Sequence, residues 1–316
     1  MSDGTARDGA TRDGATLDGA ARVGPARILD GTSIATEFKA VIRSDVAAFV
    51  ARYGRVPALA VVAAGSDAPS MVYLRQILKS CETVGIEGRL IELGDDTTPT
   101  SLAAAVATLN ADPQIAGIIV QMPLPRGLPL RAVIDVIDPV KDIDGIHPLN
   151  AGLLRLGYDG FLPATAHAAV EMLRRSDIPI AGRTAVVIGR SAVVGMPAAF
   201  LLVKADATVT VCHSKTVNLA EHVRRADIVV TAAGHPGLIT GSMLKPGAVV
   251  IDVGINVVGG RLVGDVDFAS ASTVASAITP VPGGVGPLTN ALLLSHLIAA
   301  ARRQAGEVVP TGVRST

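Results

Sequence analysis

The sequence predicts an α/β protein of two αβα domains with a cleft between them. Three observations predict it. From Ile28 onward, apolar β-branched runs alternate with stretches of helical periodicity, the pattern of parallel strands covered by helices. One such run, Val186-Val187-Ile188, breaks at Gly189-Arg190-Ser191 and leads into a helix over about Val193 to Leu202, with Gly195 where that helix presses on the strand. Between the two series lies Pro139 to Pro148, too polar and too broken for core, which reads as a linker carrying two carboxylates and a lysine.

Composition narrows the class. A chain of 316 residues with 49% hydrophobic content suits two domains with substantial cores. Twenty-eight basic residues balance 28 acidic ones and aromatics make up 3%, so neither nucleic acid nor an anionic membrane is an expected partner. Cys81 and Cys212 form no CxxC pair, which points to a reduced, cytoplasmic setting. No apolar run reaches the ~18 residues of a membrane span, and the first residues are not those of a signal peptide. The 6 histidines show no HxxxH or His-Cys ligand spacing, so no metal site is expected. Ser191 and Ser214 stand in no GxSxG elbow.

In chain order, Met1 to about Arg27 repeats Asp-Gly pairs padded with Ala, Thr and Arg, and reads as a disordered tail. A helix is expected over about Ser33 to Tyr53, a strand at Ala58 to Val62, and a second helix over about Ser70 to Val84. A strand near Arg89 to Leu93, a helix over about Pro99 to Asn110 and the buried run Ile115 to Val120 complete the first series, with Gln121 to Pro125 at a strand's carboxyl end. In the second series, strands at Asp227 to Thr231 and Ala248 to Val253 follow the glycine turn. The last helix, about Leu288 to Arg302, is expected to pack back on the first domain.

A strand, a tight glycine turn and a helix with free N–H groups facing the turn make a site for a dinucleotide phosphate, although Gly189-x5-Gly195 is not the GxGxxG spacing. The following strand, Thr208 to Cys212, ends at His213-Ser214-Lys215-Thr216 with no Asp or Glu to take a ribose 2′-hydroxyl. Ser214, Lys215 and Arg190 suit a 2′-phosphate, so the expected cofactor is NADP.

Several motifs, in order, carry a resemblance. They are Tyr73, Lys79, Cys81, Gly85 and Ile86 of YxxxxxKxC…GI; GIIVQMPLP (Gly117 to Pro125); KDIDGIHPLN (Lys141 to Asn150); GRSAVVGMP (Gly189 to Pro197); DVGIN (Asp252 to Asn256); and TPVPGGVGPLT (Thr279 to Thr289). From about Ile28 to Arg302 the chain resembles the FolD-type methylenetetrahydrofolate dehydrogenase/methenyltetrahydrofolate cyclohydrolase family. The resemblance implies a folate-binding catalytic domain over 28–146, completed by a helix at 287–303, and a Rossmann-like NADP domain over 147–286, with tetrahydrofolate derivatives in the cleft. It implies NADP-dependent oxidation of 5,10-methylenetetrahydrofolate to 5,10-methenyltetrahydrofolate in one-carbon metabolism, with hydration to 10-formyltetrahydrofolate in most members, and a homodimer paired through the NADP domains. By position, Gly189, Arg190, Ser191, Ser214 and Ile255 would contact the cofactor. Asp144 would grip the pterin, Tyr73 stack on the folate, and Gln121 support the catalytic lysine. Pro282, Gly283 and Gly284 would complete the folate site.

That lysine is missing. The family places it four residues after the tyrosine, one helical turn on, and here that residue is Ile77. Lys79 lies about 200° around the helix from Ile77 and does not stand in for it. Hydration, which uses general acid–base help worth ~10²–10⁴-fold, is therefore expected to be weak or lost, while hydride transfer needs alignment and no obligatory protein base. Two other readings stay open: an enzyme keeping both activities with Lys141 or a water network replacing the amine, and a binding paralogue without chemistry. The sequence departs from the family twice more, with Pro163-Ala164-Thr165-Ala166-His167-Ala168 at PCTPxG and His296 where Asn is common.

Overall fold

The structure, a computed structural model, describes residues 24–65, 68–122, 124–129 and 131–309, with the backbone alone for residues 68–70, 72 and 73. The chain enters through β1 (Arg27–Ile28) and turns at Asp30, whose carboxylate accepts the Thr32 N–H at 2.9 Å and so starts α1 (Gly31–Tyr53). Gly54, at φ 67°, ends that helix. Next come β2 (Ala58–Ala64), α2 (Ala68–Val84), β3 (Glu87–Leu93), α3 (Pro99–Ala111) and β4 (Ile115–Val120). Thr98 and Ser101 cap α3 reciprocally, with Pro99 in its first turn. The strands pair in parallel in the order β3-β2-β4, which explains why β2 and β4 read as unbroken apolar runs: helices cover both faces.

The chain then passes through α4 (Arg131–Ile134), α5 (Pro148–Leu156) and α6 (Ala164–Arg175). The second unit follows as β5 (Thr184–Ile188), α7 (Gly195–Lys204), β6 (Thr208–Cys212), α8 (Leu219–Val223), β7 (Ile228–Thr231) and β8 (Val249–Asp252). It closes with the antiparallel hairpin β9 (Asn256–Val258) and β10 (Arg261–Val263), then α9 (Phe268–Ala271), β11 (Ala277–Ile278) and α10 (Val285–Gln304). Its main sheet is parallel, ordered β1-β11-β8-β7-β5-β6. The chain steps from β5 outward to β6, then back past it to β7. That reversal opens a crevice at the carboxyl ends of β5 and β7.

Two sequence expectations are corrected. The first is the boundary at Ile28. Arg27 and Ile28 pair with Ala277 and Ile278 in the second sheet, and Ala26 is buried in its core, so the end of the expected tail is structured and belongs to the C-terminal unit. A short strand here covers an edge of β11 that would otherwise present unpaired backbone groups. The Asp-Gly repeats up to residue 23 lie outside the described residues.

The second correction concerns the polar stretch Pro139 to Pro148. Lys141, Asp142 and Ile143 are buried, and Asp142 bridges Ile118 beside β4. A lysine can go there because its Nζ donates to the carbonyls of Leu109, Asn110 and Asp112 at 3.0, 2.7 and 2.7 Å, satisfying the orphan carbonyls at the end of α3. Asp142 in turn accepts the N–H groups of Ile146 and His147 and the Asn150 amide.

The last helix behaves as expected and more. Val285, Leu288 and Leu292 of α10 lie in the core beneath the second sheet, while Leu293, Leu294 and Leu297 lie in the core of the first. One helix thus ties the two units together.

Candidate active site

The glycine turn forms as its residues dictate. Gly189 sits at φ 121°, and a Cβ there would lie 2.2 Å from the Ala232 carbonyl oxygen; one on Gly195 would lie 2.2 Å from the Gly189 carbonyl oxygen. Only glycines allow α7 to start this close to β5. Ser191 Oγ accepts the N–H groups of Val194 and Gly195 at 3.1 and 3.2 Å, capping the start of the helix from within the turn. Arg190 and Ser191 are exposed beyond β5, Ser214 and Lys215 beyond β6, and Ile255 beyond β8. All the predicted cofactor contacts therefore stand at the carboxyl edge of one parallel sheet. The turn fits a dinucleotide: it is a cradle that any side chain would fill, and its rim carries cations and a hydroxyl.

Across from it, Asp144 is placed by Gly145. That glycine sits at φ 65°, and a Cβ on it would lie 2.5 Å from the backbone of Leu162, so the chain after Asp144 lies flat against the start of α6. Burial, and next the charge of Asp142, push Asp144 up to about 7, with the Ala164 N–H at that helix start opposing. It remains partly open to solvent, free to accept further donors.

Two histidines complete the surroundings. His296 Nδ1 lies 2.8 Å from the Ile143 carbonyl oxygen, and its Nε2 lies 3.2 Å from Nδ1 of His167. Both rings are buried and lie nearly parallel, 12° apart. Burial drives both below the ordinary histidine range, His296 to about 4.

Ile77 occupies the expected lysine position and is 1% exposed, packed in the same apolar cluster as Ile143, Leu294 and Leu297. Tyr73 lies one helical turn earlier on α2, and its side chain is outside the described residues. Gln121 leaves the end of β4, its backbone N–H donating to Val62 and its side-chain amide to the Met122 carbonyl. Pro123 of the same motif is outside the described residues. Lys79 is exposed on the opposite face from Ile77. Pro282, Gly283 and Gly284 form the turn into α10, pinned by the Gly31 N–H, which donates to the Gly283 carbonyl at 3.0 Å. A Cβ on Gly31 would lie 1.7 Å from the Gly284 carbonyl oxygen, so α1 abuts this turn backbone to backbone.

Sequence reading missed a knot behind the cofactor rim. Asp252 accepts the N–H groups of Gly254, Asp265 and Val266 and the Thr231 hydroxyl. Asp265 accepts those of Ala233, Gly234 and His235 and the Asn256 amide. Ile255 is thereby held on both sides. The signal was present in the Asp and Asn of DVGIN, but Asp265 lies ten residues beyond Ile255 with no motif of its own. A cavity of about 450 Å³ opens beside Asp252, lined among others by Val258, Phe268 and Val281; none of the residues expected to bind substrate or cofactor lines it.

Comparison with known proteins agrees with this geometry. The family model for the tetrahydrofolate dehydrogenase/cyclohydrolase catalytic domain matches residues 29–144, and that for the NAD(P)-binding domain of the same family matches residues 163–305. The bifunctional protein FolD of Chloroflexus aurantiacus is 50% identical over 280 residues, covering 88% of this chain and 98% of the relative. Among solved structures, the Trypanosoma brucei methylenetetrahydrofolate dehydrogenase-cyclohydrolase, complexed with NADP cofactor and inhibitor, superposes with a TM-score of 0.87 at 39% identity, covering 89% of this chain and 99% of that one. The Bombyx mori 5,10-methylenetetrahydrofolate dehydrogenase gives 0.85 at 44% identity, covering 89% and 100%. By its two matched domains and its order of motifs, the chain belongs to the tetrahydrofolate dehydrogenase/cyclohydrolase family.

Proposed function

We propose that this chain oxidises 5,10-methylenetetrahydrofolate to 5,10-methenyltetrahydrofolate with NADP, and that it hydrates the product to 10-formyltetrahydrofolate weakly or not at all. NADP, when bound, accepts the hydride. The chain's residues bind and align. Gly189, Arg190 and Ser191 take the dinucleotide phosphates at the start of α7, Ser214 with Lys215 and Arg190 the 2′-phosphate, and Ile255 the nicotinamide end. Asp144 accepts N–H donors of the pterin, Tyr73 stacks on it, Gln121 offers its amide, and the Pro282-Gly283-Gly284 turn closes the folate side. Hydride loss from the methylene carbon is driven by the lone pair of the adjacent nitrogen, so alignment suffices.

The observation that carries the weak-hydration reading is the burial of Ile77, 1% exposed among apolar side chains where a proton-carrying amine is expected. Water attacking the methenyl carbon must shed a proton, and a sec-butyl side chain can neither take nor return one. Lys141 does not replace it, since its amine is engaged by three carbonyls at the far end of α3. The second reading, an enzyme with both activities, is favoured by relatives near 50% identity that carry the name bifunctional protein FolD. A paired assay separates the two: NADPH formation from methylenetetrahydrofolate, and loss of methenyltetrahydrofolate without cofactor, each for wild type and Ile77→Lys. The expected outcome is NADP reduction by wild type, hydration at the buffer rate, and a gain of about 10²-fold in hydration for the variant. Hydration by wild type well above buffer would establish the bifunctional reading instead.

The chain is further proposed to act as a homodimer paired through its C-terminal unit, where the hairpin β9–β10 exposes Val257, Val258 and Leu262. Cys81 and Cys212 are both free and buried, which fits a reducing, cytoplasmic setting. No helix among the described residues is long and apolar enough to cross a membrane.

A further inference from the structure

We propose that His167 and His296 are positioning residues for Asp144, holding through a buried chain of hydrogen bonds the peptide that carries its carboxylate. The proposal rests on the reading of Asp144 as the group that grips the pterin. A backbone carbonyl can only accept, so the 2.8 Å contact to Ile143 requires His296 to carry its proton on Nδ1. Its Nε2 is then a bare acceptor. The 3.2 Å contact to His167 requires that ring to donate from Nδ1 in turn. His167 stands in the first turn of α6, three residues after Ala164, at the helix start against which Gly145, the residue after Asp144, is packed. Ile143 is the residue immediately before Asp144.

The hydrogen-bonded chain therefore runs from His167 on α6 through His296 on α10 to the Ile143 carbonyl, one residue before Asp144. Three separate elements meet in it, and both rings are buried. The order of donors runs one way only, because the chain ends on a fixed acceptor, the Ile143 carbonyl. Shifting either imidazole frees the Ile143–Asp144 peptide that the pair anchors beside the helix start. The residues that face the pair from the packed elements are Glu171 and Arg174 on α6, and Phe161 before it; none of them supplies a hydrogen bond to either ring in the structure.

Steady-state KM values for methylenetetrahydrofolate and for NADP test this in His296→Leu, His167→Leu, the double variant and His296→Asn, with Asp144→Asn alongside. Each Leu variant is expected to raise the folate KM about tenfold and leave the NADP KM within about twofold, with the double no worse than either single. His296→Asn, whose amide still donates to the Ile143 carbonyl, is expected within about threefold of wild type. Unmoved folate KM values in the Leu variants, or a joint rise of both KM values that Asn does not rescue, overturn the proposal. An unmoved folate KM in Asp144→Asn overturns the reading of Asp144 and the proposal with it; a raised one there with none in the Leu variants overturns the proposal alone. Should the Leu variants not fold, nitrogen NMR of histidine-labelled wild type decides. Nδ1–H tautomers are expected for both rings at neutral pH, and an Nε2–H tautomer on His296 refutes the proposal.

Discussion

Asp252 ends a buried strand of the second sheet, Asp144 lies two residues beyond the bridge that Asp142 makes to β4, and both are shielded enough for burial to push their carboxyl groups upward. They differ in what they are given. Asp252 accepts three backbone N–H groups and a hydroxyl, all of which oppose its desolvation. Asp144 is opposed only by the Ala164 N–H at the start of α6 and is held near 7. A carboxylate whose lone pairs are filled from within is a piece of framework, and one left short is a group waiting for donors. The same contrast separates Asp142, with its three internal donors, from Asp144 two residues on.

The largest expected effect falls on the framework member. Asp252→Asn turns one oxygen into an N–H donor facing backbone N–H groups, leaving them unpaired in a buried knot. Urea unfolding is expected to show a loss of about 3 kcal/mol. Asp144→Asn breaks the comparison in the other direction. Its carboxyl titrates above the ordinary value, so the folded chain holds a proton that the unfolded chain releases; the stability this proton supports is lost as pH rises from the ordinary range to about 7 and stays lost above. The variant should therefore be as stable as wild type at pH 8, or about 1 kcal/mol more so, while its folate KM rises about 10²-fold. If the ionised form accepts the pterin donors, as proposed, the wild-type folate KM should climb roughly tenfold per unit as pH falls below 7, and Asp144→Asn should flatten that slope. A wild-type KM independent of pH between 6 and 8, or a marked loss of stability in Asp144→Asn, would place Asp144 with the framework.

The same distinction shows what could be read before the fold was known. The glycine turn was legible because its chemistry is local: Gly189 and Gly195 answer to backbone approach within one βα unit, and Ser214 follows from the next strand. So was the alternation that produces both sheets. The His167–His296 contact joins residues on two helices remote in sequence, and Asp265 reaches Asp252 only once the hairpin has folded back. Neither leaves a periodic trace. The reading of Pro139 to Pro148 as a linker too polar for core fails at Lys141 to Ile143 for a single cause. Polarity was taken for exposure, whereas these groups find their partners in the end of α3 and in the turn that follows them. The sequence places Arg27 in the tail and Ile28 in the first unit, because adjacency to α1 says nothing of which sheet edge lies open.

The smallest effect sharpens the comparison at the surface. On the hairpin, Val257 and Val258 are 61% and 50% exposed and Leu262 is 48% exposed, so each has little left to lose within one copy of the chain. Replacing Val257 and Leu262 with Lys should change the unfolding free energy of the separated chain by no more than about 0.5 kcal/mol. If these side chains are buried between two copies, the charges would face one another across the twofold, and light scattering should record a shift from dimer to monomer. The Asp252–Asp265 knot lies directly behind the hairpin and is internal to one chain, so NADP affinity should survive the dissociation. Loss of affinity along with the dimer would mean that Ile255 is held in place by the second copy as well as by the two carboxylates.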